Sequence, residues 1–596
     1  HHHVRVPVGL PAASRTDGGP AGTRRGSARR RWLHAVVHLP SSSADGTLPD
    51  PGRTVLLESG LGLSRVLWSR VTAPLTAAGF TVIVYDRAGL GQSPLARGRR
   101  TARDHVADLY TVLTHLAPRG AILVGHSYGG LLVRMLASEH PDQVTGLVLG
   151  VLAFLVPFVV DVPDLGEQGE RMLSVFLLAI VFWVLEAIPL MATAVLVIAL
   201  EVLLVSNQAV LPVPGDAVPY SLYLGALANP VIILFLGGFL IADGAAKYHL
   251  DKNLAAVLIR PFTGSARRTV LGLMVITALL SMFMSNTATT ATMFAVIVPV
   301  LGALPEGRPR AGLALAIPVA ANVGGIGTPV GTPPNAIALG ALEDAGYHVS
   351  FGTWMLMAVP LMLIVLLGAW LLLVALFVPR GLGLELDMEA TWHTDRQAVT
   401  FYVIAALTVL AWMTEALHGL NANVIGFLAV VALMVTQVMD GKDLAALSWP
   451  VLWLVAGGIA LGHGVGTTGL DTWILGLVDW GAMSATGVVV CMGLLGLAMS
   501  NVISHSAASN LLIPLAMGLA TGIDGLDPVV IAVVLALACS LGMSLPISTP
   551  PNAIAYATGA VTTPDMARVG VIVGVVGTVL LVLLMPPLWS ALGLLG

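Results

Sequence analysis

Charge is scarce in this chain. Only 10% of its 596 residues are Asp, Glu, Lys or Arg, against about 25% in an ordinary soluble domain. With 56% hydrophobic residues and a mean hydropathy of +0.88, this shortage excludes a wholly soluble multidomain enzyme. Cysteine is nearly absent. Cys491 and Cys539 lie in apolar runs, which leaves no disulfide framework and predicts two buried free thiols. Lysine is missing from residues 1–150, which hold 17 Arg against 9 acidic residues, a net of +8. The remainder holds 12 basic and 24 acidic residues, a net of −12. A basic head thus joins a mildly acidic, very apolar body, and no nucleic-acid partner is expected.

Beyond residue 150 no polar stretch is long enough for another soluble domain. Apolar segments recur instead, many near the roughly 20 residues that a membrane span needs. Examples are 172–189, 190–206, 352–378, 398–413, 422–438 and 568–594. This part is therefore a polytopic α-helical membrane protein. The first 35 residues are rich in Gly, Pro, Ala and Arg and lack the apolar core of a signal peptide. They are expected to form a disordered basic segment. Over 36–150 the β-like runs 54–58, 81–85, 121–124 and 144–149 alternate with helix-like ones, which predicts a parallel sheet in a partial α/β domain. Arg260, Arg267 and Arg268 flank one end of the segment near 270–300, and Arg308 and Arg310 the other. Placing the Arg-rich head in the cytoplasm makes these loops agree with the excess of basic residues on that side.

The membrane part, 151–596, contains itself twice. Trp183-Val-Leu-Glu186-Ala-Ile-Pro189 returns as Trp412-Met-Thr-Glu415-Ala-Leu-His418, and Gly237-Gly238 as Gly457-Gly458. Thr332-Pro333-Pro334-Asn335-Ala-Ile-Ala returns letter for letter from Thr549, with the offset drifting only from 229 to 217 residues. Repeat one covers about 171–378 and repeat two about 398–594. An odd number of spans between the copies inverts the second, and inverted repeats with Pro-broken helices mark secondary transporters.

Two polar clusters interrupt the apolar segments: Ser281, Ser285, Asn286, Thr287, Thr289 and Thr290, and then Ser500, Asn501, Ser504, His505, Ser506, Ser509 and Asn510. Each is followed 45–47 residues later by Thr-Pro-Pro-Asn. Irregular polar backbone at membrane depth survives only where it is buried in protein or lines a cavity. Asn side chains and carbonyls freed by Pro offer oxygen ligands to a hard cation, while new helix N-termini favour an anion. Neither cluster contains Lys or Arg. A divalent anion here needs positive charge from elsewhere, and co-bound sodium ions supply it. Glu186, Glu201, Asp243, Glu415 and His463 are further ionisable groups in the apolar segments. The equivalent pair Glu186 and Glu415 is expected to be structural, and the role of the equivalent pair Asp243 and His463 stays open.

On these residues the chain resembles the divalent anion:sodium symporter family over about 150–596. The resemblance implies about eleven spans in two inverted repeats with two re-entrant hairpins, a homodimer, and elevator-type alternating access in the cell membrane. It also implies a small divalent anion as substrate: a C4-dicarboxylate, citrate or sulfate. Carried over, Ser285, Asn286 and Thr287 match the first hairpin tip, which touches substrate and one sodium ion. Ser281 and Gly331 match further ligands of that ion. Ser504, His505 and Ser506 fall at the second tip, Ser500 and Ser548 at the second sodium ion, and Thr549 and Pro550 at a substrate-contacting turn. The departure is His505 where the family has Asn. It is either a fixed charge replacing a cation or a neutral imidazole hydrogen-bonded within the hairpin. An alternative alignment places Ser500-Asn501 at the tip, but the spacing to Pro514 favours 504–506.

The head carries a second signature. Gly125-His126-Ser127-Tyr128-Gly129 follows a strand-like run, as a nucleophile elbow does. With Tyr85-Asp86-Arg87 and Glu58-Ser-Gly-Leu-Gly62, it resembles an α/β-hydrolase over roughly 33–150, with the turn from Ser59 to Gly62 where an oxyanion loop belongs. The family's acid and His come later in the chain, and here the chain runs from 149 into apolar sequence. Ser127 without a base is a weak nucleophile, so the head is expected to be a vestigial or accessory domain, or a spurious fusion. The leading expectation is a sodium-coupled anion carrier, not an enzyme. Its rivals are a membrane-anchored serine hydrolase and a related carrier, such as a metalloid-oxyanion exporter or sodium/proton antiporter.

Overall fold

The computed structural model describes residues 2–8, 31–39, 54–59, 65–88, 90–94, 101–125, 162–185, 188–213, 217–304, 307–379, 390–477, 483–546 and 548–595. A few separate positions between 132 and 157, and residue 381, are described as well. The chain forms two compact units, residues 1–156 with 180–189, and residues 157–179 with 190–596.

The head is a six-stranded sheet. Its strands are β1 (His2–Val8), β2 (Arg31–His38), β3 (Thr54–Glu58), β4 (Thr81–Tyr85), β5 (Ala121–Gly125) and β6 (Val144–Gly146), in the order β1-β2-β4-β3-β5-β6. β4, β3, β5 and β6 run parallel, as strands alternating with helices require, while β1 and β2 add an antiparallel edge. Alternation sorts the side chains. Leu56 and Ile83 enter one core with Val106, Leu109 and Leu113 of α2 (Ala102–Leu116), and Val55, Leu57, Val82 and Val84 enter a second core with Trp68, just before α1 (Ser69–Ala77). β1 lies inside the stretch expected to be disordered. Its Val4, Val6 and Val8 alternate with polar residues or Pro, and Val6 is fully buried. The Gly- and Arg-rich composition of 9–30 hides this short signal.

The body is helical. Its first copy runs α3 (Glu167–Leu185), α4 (Leu190–Leu204), α5 (Pro230–Lys247), α6 (Leu250–Leu258), α7 (Ala266–Phe283), α8 (Asn286–Ala303), α9 (Arg308–Gly325), α10 (Pro333–Asp344) and α11 (Phe351–Phe377). The second runs α12 (Arg396–Met413), α13 (Ala422–Val435), α14 (Trp449–Thr467), α15 (Leu470–Gly476), α16 (Ala485–Val502), α17 (His505–Gly522), α18 (Pro528–Ser540), α19 (Pro550–Ala557) and α20 (Thr563–Ala591). Helix for helix, the order repeats. Among the described residues, seven helices are long and apolar enough to cross a membrane by length and composition, and four shorter ones are also apolar.

Packing repeats with the copies exchanged. α4 lies on α14 as α13 lies on α5; α7 on α9 as α16 on α18; α8 on α19 as α17 on α10. Such reciprocal contacts are those of a pseudo-twofold axis. Small residues permit the close crossings: Gly237 faces the Gly426 carbonyl, and Gly457 faces Ala194. Cys539 is buried as expected, but Cys491 is exposed on α16. An apolar run in a span does not say which face it presents.

Candidate functional site

Both polar clusters fold as a helical hairpin with a two-residue tip. α7 and α16 are 18 residues long, and so are the returning α8 and α17. Ser285 caps α8 by accepting from the Ala288 N–H (3.2 Å), and Ser504 caps α17 by accepting from the Ala507 N–H (3.2 Å). Ser504, His505 and Ser506 therefore hold the same place in the second hairpin as Ser285, Asn286 and Thr287 hold in the first. Asn501 is the penultimate residue of α16, two positions before the tip begins at Ile503.

Each hairpin packs on a broken helix. α9 stops at Gly325 and α10 starts at Pro333; α18 stops at Ser540 and α19 starts at Pro550. Proline lacks the N–H and forces the preceding residue to be extended, so Thr332 (φ −151°, ψ 147°) and Thr549 (φ −145°, ψ 150°) adopt matching conformations. These segments are deeply placed: every residue from Ala311 to Gly325 is buried, as is every residue from Val529 to Ser540. The carbonyls freed at the breaks must find partners. Asn335 donates to Gly325 O (3.1 Å) and Thr328 O (2.8 Å), and Asn552 donates to Met543 O (2.7 Å) and Leu545 O (3.0 Å). The repeated asparagine is thus a clamp on its own break. Asn322 joins the two copies, donating to Thr549 Oγ1 (3.2 Å) and Asn552 Oδ1 (3.3 Å).

At the first tip, Ser281, Asn286 and Gly331 come together. With Nδ2 turned inwards, Asn286 donates to Ser281 Oγ (2.7 Å), Gly331 O (3.2 Å) and Ala321 O (3.3 Å). With Oδ1 turned inwards, the same four groups present converging oxygens, a donor set suited to a hard cation. Glycine is required around them, because a Cβ on Gly325 would meet the Asn286 amide and one on Gly331 would meet the Gly325 carbonyl. Ser285 is occupied as the cap, and Thr287 is exposed.

The second tip differs. His505 Nε2 lies 2.6 Å from the Gly542 carbonyl, so that nitrogen carries a proton and donates. Ser500 donates to Leu497 O (3.1 Å), and Ser548 donates to Asn501 O (3.0 Å) while accepting from the Leu545 N–H (3.1 Å). Asn501 Oδ1 accepts from the Ser544 N–H (2.8 Å). Thr549 is buried, Pro550 is exposed and Ser506 is half-buried. Asn322 is a residue of the candidate site that the motifs do not reveal. In the sequence it is a single polar residue in an apolar helix, and the partner that gives it meaning lies 227 positions away.

Among the other ionisable groups, Glu415 accepts from the Phe351 N–H (3.1 Å) and pairs with His348 (3.2 Å), a structural tie. His463 pairs with Asp344 at 2.9 Å. Both carboxyl oxygens of Glu201 are buried without a hydrogen-bond partner, Asp243 is exposed, and Glu186 lies outside the described residues. No group of three or more His, Cys, Asp or Glu poised for a metal occurs among the described residues.

In the head, residues 126–130, with Ser127, and residues 60–64, with most of the expected oxyanion loop, lie outside the described residues. Glu58 is buried beside Arg87 (3.4 Å), and burial pushes its carboxyl up to about 7 against the pull of that guanidinium. His140 stacks on Tyr110, with ring centroids 3.8 Å apart.

Residues 53–160 match the profile described as alpha/beta hydrolase fold. Matching solved structures include an enol-lactonase from Burkholderia xenovorans LB400 (26% identity, 19% of this chain and 41% of that one, TM-score 0.17). A thermophilic esterase from Thermogutta terrifontis also matches (22% identity, 30% and 52%, TM-score 0.19). This chain spans only about half or less of their length, and scores this low carry no argument. Curated relatives cover far more. The sodium-dependent dicarboxylate transporter SdcS of Staphylococcus saprophyticus is 28% identical over 495 residues, 76% of this chain and 93% of that protein. SdcS of Staphylococcus aureus strain USA300 is 30% identical over 484 residues, 74% and 90%. Residues 141–595 match the profile described as sodium:sulfate symporter transmembrane region, and by that match the chain, with its tip and break repeated twice, belongs to that family.

Proposed function

We propose that this protein is a sodium-coupled carrier of a small dicarboxylate across the cytoplasmic membrane. The observation that carries this reading is the cluster of Ser281, Ala321 and Gly331 oxygens around the Asn286 amide, beside a hairpin tip that holds no Lys or Arg. A buried dianion is tolerated only when paired, since desolvation costs several kcal/mol per charge. Cations bound at the tips supply the pairing, which makes cation and anion binding mutually dependent. The sodium dependence and dicarboxylate substrate in the names of the relatives support sodium and a C4-dicarboxylate over citrate or sulfate.

Elevator-type alternating access, with about eleven spans, two re-entrant hairpins, a cytoplasmic N-terminal part and a homodimer, belongs to the same proposal. The packing of α8 on α19 and of α17 on α10, each hairpin against the other copy's broken helix, supports it.

The test is uptake of labelled succinate into proteoliposomes under an inward sodium gradient, with potassium as control and citrate and sulfate as competitors. Sodium-driven accumulation that excess sulfate fails to suppress is expected. Uptake indifferent to sodium, or none at all, overturns the reading.

A further inference from the structure

A cavity of about 460 Å³ lies between α5, α6, α7 and α12, with Met284 of the first tip among its lining residues. Its walls are almost wholly apolar: Ile241 and Ala245 from α5, Leu279 and Phe283 from α7, Ala406 and Leu410 from α12. The carboxylate on its floor, Asp251, is buried with both oxygens engaged, Oδ1 by the Lys252 N–H (2.8 Å) and Oδ2 by Thr292 Oγ1 (3.3 Å). The Tyr402 hydroxyl is likewise engaged, donating to Tyr248 O (2.9 Å). These lining groups ask for no water, and an apolar cavity whose polar groups are satisfied stays dry.

We infer that this cavity is a binding site for the acyl chain of a membrane phospholipid. Three observations identify the occupant. First, α7 and α12 are span-length helices, and the cavity is flanked by the exposed Leu279, Leu410 and Met413, so it opens towards hydrocarbon. Second, its α12 wall runs from Tyr402 to Met413, three turns or roughly 16 Å. That is about half of a hydrocarbon core some 30 Å thick, the depth of a single leaflet. Third, the Tyr402 end has the chemistry of a membrane surface. Tyr402 packs edge-on against the exposed Trp392 (5.8 Å), and Lys252, His249 and His393 stand on the adjoining segments. Phe283 and Met284, the residues directly before the cap Ser285, also line it, so an occupant touches the root of the first hairpin tip.

Lipid occupancy does not rest on the proposed function, so the two fail independently. The full-length protein is purified, washed extensively in detergent, and its retained phospholipid is counted by native mass spectrometry. Wild type is expected to hold one long-chain phosphatidylcholine per protomer and to reject a short-chain analogue that cannot span the leaflet depth. Ala406→Trp and Leu279→Trp, which fill the cavity from opposite walls, are expected to lose it while remaining monodisperse on size exclusion. The wild-type comparison of chain lengths stands even where a Trp variant misfolds. Absence of retained lipid in wild type, equal retention of short and long chains, or undiminished lipid in both folded Trp variants overturns the proposal. A cavity covered instead by a second copy of this chain shows itself as a dimer without lipid, which overturns it equally.

Discussion

At the residue scale the two tips diverge at one equivalent position. Asn286 can turn an oxygen towards the carbonyls around it, and His505 cannot: its Nε2–H already donates to Gly542, and nitrogen is a poor ligand for a hard cation. Asn286→Ala is expected to raise the sodium concentration needed for half-maximal uptake severalfold, with little change in expression. His505→Asn places an oxygen back at the second tip and is expected to increase the Hill slope for sodium above that of wild type. Sodium titrations of the two variants in proteoliposomes decide both; equal slopes in wild type and His505→Asn remove any part for this side chain in ion coupling. The identities at 285–287 and 504–506 were legible from the doubled motif. Their different hydrogen bonding was not, because Gly542, in the break after α18, and Ala321, on α9, are distant in the chain and leave no local trace.

At the element scale the tight approaches are as decisive as the polar groups. Gly325 ends α9 against the Asn286 amide, and a methyl group there has no room. Gly325→Ala is expected to push Asn286 aside, reproducing the weakened sodium dependence at a stability cost of about 1–3 kcal/mol. Gly340→Ala crowds only the flexible end of Ile459 (2.9 Å) on α14, and is expected to cost less stability while leaving the sodium titration unchanged. Melting curves measured beside sodium titrations separate the two. If both variants shift the titration alike, the contact with Asn286 is not the cause. Many element boundaries were readable: the strands 54–58 and 81–85 and the long helix near 352–378 fall within a residue of expectation. Periodicity and Pro placement carry that information locally. β1 was not readable, since a lone edge strand shows its meaning only when β2 pairs with it.

At the scale of the whole molecule, the chain carries more than its relatives need. Matches over 76% and 74% of this chain already account for 93% and 90% of the two transporters. The hydrolase profile ends at 160, and the transporter profile begins at 141. In α/β-hydrolases the acid and the histidine follow the nucleophile, yet after Ser127 the only strand described is β6, residues 144–146. His140, the nearest later histidine, stacks on Tyr110. A serine without such a partner lacks the base that turns its hydroxyl into a nucleophile. Ester hydrolysis by the purified protein is therefore expected to be the same in wild type and Ser127→Ala, and removal of residues 1–145 is expected to leave sodium-driven uptake within about twofold. A rate that falls in Ser127→Ala would assign the head a working base from elsewhere in the molecule. Loss of uptake on truncation, with esterase still silent, would make the head a part of the carrier's assembly rather than a passenger.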